Sequence, residues 1–264
     1  MRNQALVGYL LHQRSYQEKR AIYYLFSQQH GVVHGIGKKG APLFESLQLF
    51  ATGKRDLKTF TQITMSQPDR LSIDESSTEL IDSSSNDIQR YGQIRGQQQY
   101  AALYLNEILW KLLPTEDPMP VLWQHYQDSL ALLKQPLSAD ELRLCLRQFE
   151  QHLFKELGFA LSLTEDSHLE AIEAGTTYRL LADTGFMPMV AEISVDTDDS
   201  SPVPLSALSS ALFEGQEILL MTELGIVAAT LNSWSRLNRQ LLDQLLDYQP
   251  LQSRLLWQQQ QRYR

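Results

Sequence analysis

Apolar positions recur with two different periods along this chain of 264 residues. In the first 66 residues they fall in short runs broken by glycine-containing turns. Ala5–His12 is one such run. Lys19–Ser27, rich in Ile, Tyr and Phe, ends at Gln28-Gln29-His30-Gly31, and Val32–Ile36 follows at once. Leu47–Thr52 and Leu57–Met65 flank the turn Gly53-Lys54-Arg55-Asp56. Runs of this length and composition predict strands. Five of them in about 65 residues leave no room for crossover helices, so the pattern predicts a small barrel, closed or partly open, rather than a parallel sheet.

From residue 95 onward the period becomes helical. Leu105, Ile108, Leu109 and Leu112 make one stripe before Pro114, and Leu122, Tyr126, Leu130 and Leu133 make another. Ser138-Ala139-Asp140-Glu141 is a capping box that opens a third helix, with Leu142, Leu146, Phe149, Leu153 and Leu157 inside and Gly158 past its end. Trp234, Leu237, Leu241 and Leu245 repeat the pattern near the end of the chain, and residues 176–195 (Tyr178, Gly185, Val190, Ile193, Val195) suggest a short hairpin. Between the two regimes lies a Ser-rich, acidic stretch that includes Asp82-Ser83-Ser84-Ser85-Asn86-Asp87. Such composition lacks the apolar anchors of a core. The expected organisation is therefore multidomain α+β: a barrel over 1–66, a linker or long loop over 67–94, and a helical domain over 95–264.

Charge sharpens this division. Residues 1–66 carry nine basic and three acidic residues, a net +6, whereas the remainder carries 14 basic and 28 acidic residues, a net −14. The overall −8 hides a basic module on an acidic body, and a positive module points to nucleic acid. Its cations are interleaved with rings: Arg14 with Tyr16, Lys19 and Arg20 with Tyr23 and Tyr24, Lys58 with Phe60. Cations for phosphates and rings for base stacking are what single-strand binding requires. Strand alternation over Leu57–Met65 places Lys58, Phe60 and Gln62 on one face and Leu57, Ile63 and Met65 on the other. The competing reading is that the rings fill the barrel and the lysines keep it solvated.

Other chemistry finds little support. Gly35-Ile36-Gly37-Lys38-Lys39-Gly40 matches GxGxxG, but Ala41-Pro42-Leu43-Phe44-Glu45 leads to another strand where a dinucleotide fold needs a helix. The glycines then mark a turn carrying two lysines, suited to phosphate contacts. Six histidines show no metal-binding spacing on a helix, and the single Cys145 fits core packing. No GxSxG nucleophile elbow occurs, and nothing demands an enzyme. No apolar run reaches the roughly 18 residues of a membrane span.

Several segments, in order, resemble the recombinational repair family RecO. They are Ala5-Leu6-Val7 through Gln13-Arg14-Ser15-Tyr16-Gln17-Glu18, Tyr24–Gly31, Lys38-Lys39-Gly40-Ala41 and Leu47-Gln48-Leu49-Phe50, followed by Tyr104–Leu109 with Leu112–Pro118. Arg147-Gln148-Phe149-Glu150 with Glu156-Leu157-Gly158-Phe159, and Pro250–Arg254, complete the series. The resemblance implies an N-terminal OB-fold, binding of single- and double-stranded DNA, annealing of complementary strands, and action with RecR. It also implies contact with the acidic C-terminal tail of single-stranded DNA-binding protein, help in loading RecA, and a cytoplasmic location. Many family members carry a four-cysteine zinc site after the LGY segment; Ala160–Ile172 holds no cysteine here, so no metal or other cofactor is expected. The expected DNA contacts are Arg14, Tyr16, Lys19, Arg20, Lys38, Lys39, Lys54, Arg55, Lys58 and Phe60. A tail receptor needs a cation beside an apolar groove. Arg143 and Arg147, four apart on the third helix, are the expected pair, unless they are taken up by Asp140 and Glu150. The runner-up function is an OB-type scaffold that binds only protein partners.

Overall fold

In the computed structural model, which describes residues 1–66, 93–189 and 212–262, the five N-terminal runs form five strands. These are β1 (Gln4–Ser15), β2 (Arg20–Ser27), β3 (Gly31–Lys38), β4 (Ser46–Thr52) and β5 (Leu57–Met65). They close into a barrel in the order β1-β2-β3-β5-β4, antiparallel except for the β3/β5 pair. This is the five-stranded Greek-key arrangement of an OB-fold. Leu6, Leu10, Tyr23, Leu25, Val33 and Leu49 fill its interior.

Helices α1 (Gln97–Leu112) and α2 (Pro120–Leu133) follow, and the apolar stripes of both are buried as the sequence pattern predicts, save that Leu113 replaces Leu112 at the end of α1. α2 meets the outer face of β1 and β2 through Trp123 and Tyr126. Tyr9 and Phe26, which are paired across those strands, meet the Trp123 ring at 5.1 and 5.4 Å. α3 (Ala139–Glu156) opens on the expected capping box, with Glu141 N–H donating to the Ser138 hydroxyl and the Glu141 carboxylate accepting from Ser138 N–H. The hairpin is β6 (Thr177–Leu181) with β7 (Gly185–Pro188), and β8 (Leu212–Glu214) adds a third strand beside β6. α4 (Gly215–Leu224), α5 (Leu231–Leu245) and α6 (Gln252–Arg262) complete the chain. Val190, Ile193 and Val195 of the expected hairpin, and nearly all of the expected linker, lie outside the described residues.

The compact units do not divide where the charge and periodicity change. One unit comprises Met1–Leu137 together with Leu251–Arg264, the other Ser138–Pro250. The expected helical domain over 95–264 is therefore split, and the reason is packing. α1 and α2 bury their stripes with the barrel, and α6 packs on α1, with Tyr100 against Trp257 at 5.6 Å and the Arg254 guanidinium over Tyr104. In the second unit, Tyr178, Leu180, Phe186 and Phe213 of the small sheet share a core with Trp234 and Leu237 of α5.

A buried carboxylate joins α1 to α6. Glu107 accepts from the N–H groups of Gln252 and Ser253 at 2.9 and 2.8 Å and from the Ser253 hydroxyl at 2.7 Å. The first turn of a helix leaves its N–H groups without internal partners, and an anion there is favoured. Burial pushes the Glu107 carboxyl up, but the hydrogen bonds from Ser253, Gln252 and Lys111 outweigh it and hold the group below its ordinary range.

Glu107→Gln should lower stability by about 1.5–3 kcal/mol at neutral pH, the range for hydrogen bonds to a charged group. The folded pKa is depressed, so this contribution is complete above the unfolded carboxyl pKa and is lost as pH falls through the folded one. Urea titrations of both proteins between about pH 7 and pH 3 should show the gap closing on the acid side; a constant gap overturns the assignment.

Candidate nucleic-acid interface

Alternation in β2 and β3 separates an inner from an outer face. Tyr23, Leu25, Val33 and Gly35 point into the barrel, whereas Arg20, Ile22, Tyr24, His34, Ile36 and Lys38 point out. Register stacks the outer residues in rows, because directly opposed residues share a face. Arg20 pairs with Lys38, Ile22 with Ile36, and Tyr24 with His34. β1 and β5 extend the rows: Arg14 pairs with Ile22 and His12 with Tyr24, while Thr59 stands beside Ile36 and Leu57 beside His34. One outer surface thus runs from cations through aliphatic side chains to aromatic rings.

β1 reaches these rows only because it bulges. The register shifts between Leu10 and His12, so Leu10 stays inside opposite Leu25 while His12 faces out opposite Tyr24. The extra residue of a bulge leaves the ladder locally broken. The Asn106 amide of α1 donates to both the Leu10 and the Leu11 carbonyls, at 3.1 and 3.2 Å, and its oxygen accepts the Tyr126 hydroxyl at 2.6 Å.

At the cationic end Lys39 N–H donates to the Lys19 carbonyl, Tyr16 N–H to the Arg20 carbonyl, and the Tyr23 hydroxyl to the Lys38 carbonyl. These bonds bring Lys19, Arg20, Lys38 and Lys39 together, all exposed, on an open groove of about 950 Å³ whose other wall is β5. The GxGxxG match belongs to this strand and not to a nucleotide loop, since a loop and β4 follow it. A Cβ at Gly35 would lie 2.5 Å from the Phe60 ring, and one at Gly37 would lie 2.8 Å from Ile63. The glycines make room for the barrel's filling.

Of the ten expected contacts, eight are exposed but only some converge. Arg14 lies on the outer face, Tyr16 (41% exposed) in the β1–β2 turn, and Lys19, Arg20, Lys38 and Lys39 at its cationic end. Lys54 and Arg55 are exposed in the β4–β5 turn, which precedes Leu57 and so lies beyond the His34 end of the face. Lys58 and Phe60 are corrections. Both are buried, because the face they share points into the barrel. Phe60 belongs to the interior cluster, and Lys58 is spent on Glu116 at 2.5 Å and on the Arg55 carbonyl. Gln62, by contrast, is exposed: a register irregularity and a φ of 51° at Gln62 break the strand's alternation just after Phe60.

The arginine pair sits in the second unit, and both members are occupied as the alternative reading held. Arg143 donates to Asp140 and to Asn232 of α5. Arg147 pairs at 2.5 Å with Glu150, whose carboxylate is fully buried and also accepts from Asn238. Nearby, α3, α5 and the segment after α3 enclose a groove of about 300 Å³ with Trp234, Leu241 and Phe159 in its walls and the exposed Lys155 at its edge.

Sequence reasoning missed His12, His34 and Trp110. His12 stacks on Trp110 of α1 at 4.7 Å and 15°, and Tyr24 contacts His12, His34 and Trp110 at 5.4, 4.4 and 5.5 Å. The signal was present: His12/Arg14, Ile22/Tyr24 and His34/Ile36 each place outward residues at a spacing of two. Among the described residues no group of histidine, cysteine or carboxylate side chains is arranged to hold a metal ion, and no helix is long and apolar enough to cross a membrane.

Comparison with known proteins covers nearly the whole chain. The family model for the recombination protein O C terminal matches residues 96–255. Over 258 residues the chain is 31% identical to a protein of Stutzerimonas stutzeri named DNA repair protein RecO, covering 95% of this chain and 92% of that protein. A protein of the same name from Pseudomonas paraeruginosa is 31% identical over 260 residues, covering 96% and 94%, and one from Pseudomonas putida is 30% identical over 257 residues, covering 95% of each.

Arg147→Ala should act on the fold. Removing one partner of a buried pair costs about 3–5 kcal/mol, and the lower end is expected here because Asn238 still donates to Glu150. Arg147→Met combined with Glu150→Gln, which removes the unpaired charge and keeps an acceptor for the buried Asn238 amide, should recover part of the loss. Thermal melts of the single and double variants read this directly, and an undiminished melting temperature for Arg147→Ala contradicts it.

Proposed function

The chain belongs to the RecO family of DNA repair proteins, and from that premise we propose that it is a non-catalytic mediator of recombinational repair. It binds single- and double-stranded DNA, anneals complementary strands, and acts with RecR to help load RecA on strands coated by single-stranded DNA-binding protein in the cytoplasm. One observation carries the reading. Lys19, Arg20, Lys38 and Lys39 converge at one end of an open barrel groove, and among the described residues no carboxylate pairs with any of them. Cations so exposed exchange counterions for phosphates, which supplies most sequence-independent affinity. They also screen the repulsion between two strands held together, the physical requirement of annealing.

The acidic tail of single-stranded DNA-binding protein is the partner implied for the second unit. Arg147 is taken up by Glu150 and Arg143 by α5 and Asp140. The groove edged by Lys155 offers what the two arginines do not: apolar walls beside a cation with no carboxylate partner among the described residues.

Reversing the charges of Lys19, Arg20, Lys38 and Lys39 should weaken binding of unrelated oligonucleotides alike. The slope of log affinity against log salt should become shallower by about 0.7 for each lost single-strand contact. No oligonucleotide binding by the unaltered protein at low salt would instead support a scaffold that binds only protein. In a separate titration, Lys155→Glu should weaken a synthetic acidic tail peptide about tenfold, the worth of one charge-assisted contact, and leave oligonucleotide affinity unchanged. Loss on Arg143→Glu but not on Lys155→Glu moves the receptor to the start of α3.

A further inference from the structure

We propose that the rings of His12, Tyr24 and His34, closed off by Trp110, form a platform on which unpaired bases of a bound single strand stack, while the Arg20–Lys38 end of the same surface holds its phosphates. The inference rests on the DNA-binding reading and specifies where the bases go.

The three rings come from three neighbouring strands and occupy one row across the barrel, His12 opposite Tyr24 and Tyr24 opposite His34. All three, and Trp110, are half-buried, held between the barrel and α1 without being sealed from solvent as residues. A ring fixed in this way loses little conformational freedom on meeting a ligand, which is the advantage of a preformed surface. The adjoining row is Arg14, Ile22, Ile36 and Thr59; its one charged side chain, Arg14, is exposed at the β1 edge, so the middle of the row can lie beneath a base without desolvating a charge. The next row is Arg20 with Lys38. A strand laid along the surface meets flat apolar faces and cations in succession, the combination by which single strands are held without regard to sequence.

The local electrostatics agree with that geometry. Burial, with Arg14 nearby, lowers the His12 pKa against the opposing pull of Glu107. Burial also lowers that of His34 against Asp56 and Glu116. Lowered in this way, both imidazoles favour the neutral form at pH 7, and an uncharged ring is covered by a base at less desolvation cost than an imidazolium. Of the acids facing His34, Glu116 is paired with Lys58. A purely structural role, clamping α1 to the barrel, makes a different prediction, because a clamp has no preference between a strand with bases and one without.

The test compares oligothymidine with a fully abasic oligonucleotide of the same length, each titrated with the full chain at one fixed salt concentration. The unaltered protein should bind oligothymidine at least tenfold more tightly. Tyr24→Leu with His34→Leu keeps apolar bulk in the row and removes two rings. It should cut oligothymidine affinity about tenfold, within the range for loss of a stacked base, and leave abasic affinity unchanged. His34→Leu alone, at the end of the row opposite the His12–Trp110 stack, repeats the measurement with less disturbance of the fold. Equal affinity of the unaltered protein for the two strands overturns the platform, as does a parallel loss of both strands in variants whose melting temperature is unchanged. Binding of neither strand by the unaltered protein sinks the DNA-binding reading itself, an outcome distinct from equal binding of both.

Discussion

The Asn106 carboxamide, almost wholly buried, is the contact from which the arrangement of the barrel's outer face follows. Backbone carbonyls released by a bulge cannot stay unpaired in an interior, since an unsatisfied buried polar group costs about 1–3 kcal/mol. Asn106 satisfies two of them with one amino group and anchors its own oxygen on Tyr126. A leucine at that position would bury as much surface and remove the donor that both carbonyls share. With the bulge secured, β1 carries Leu6 and Leu10 into the core before Leu11 and His12 and Arg14 onto the outer face after it. Regular pairing would place Leu11 opposite Tyr24, and the ring row would end at β2.

Two economies of charge operate in the same chain. In the Ser138–Pro250 unit, arginines are spent internally: Arg147 on Glu150, Arg236 on Glu217 and over the Phe213 ring, and Arg143 on Asp140 and Asn232. In the barrel, Lys58 is spent on Glu116, but the cations at the β2 and β3 ends are left to solvent. An exposed cation contributes little to folding. Unpaired cations grouped on one groove are instead a reservoir of electrostatic attraction for a polyanion.

Much of this was legible in the sequence where a local rule acts alone. The five strands, the capping box at Ser138 and Glu141 and the buried stripe of α2 follow from period and turn chemistry. The failures share a cause, in that long-range packing overrode a local pattern. Phe60 and Lys58 were assigned to the solvent face because alternation fixes which residues share a side but not which side is inside. The deciding facts are the space left by Gly35 and the position of Glu116, 58 residues from Lys58 in sequence. His12 and Trp110 are 98 residues apart, and no window along the chain contains both. The grouping of α6 with the first unit was hidden for the same reason: composition changes at residue 66, whereas α6 meets α1 through Glu107, Tyr100 and Tyr104, all about 150 residues earlier in the chain.

The return of α6 to the first unit has a consequence for biosynthesis. A ribosome delivers the barrel first, then α1 with its carboxylate, and only after the whole Ser138–Pro250 unit has emerged does it release the residues that Glu107 binds. Domains generally fold in the order of their synthesis. Here the nascent N-terminal unit must wait, its α1 surface uncovered, while the inserted unit folds. Emergence of α6, rather than emergence of the barrel, is the event that closes it.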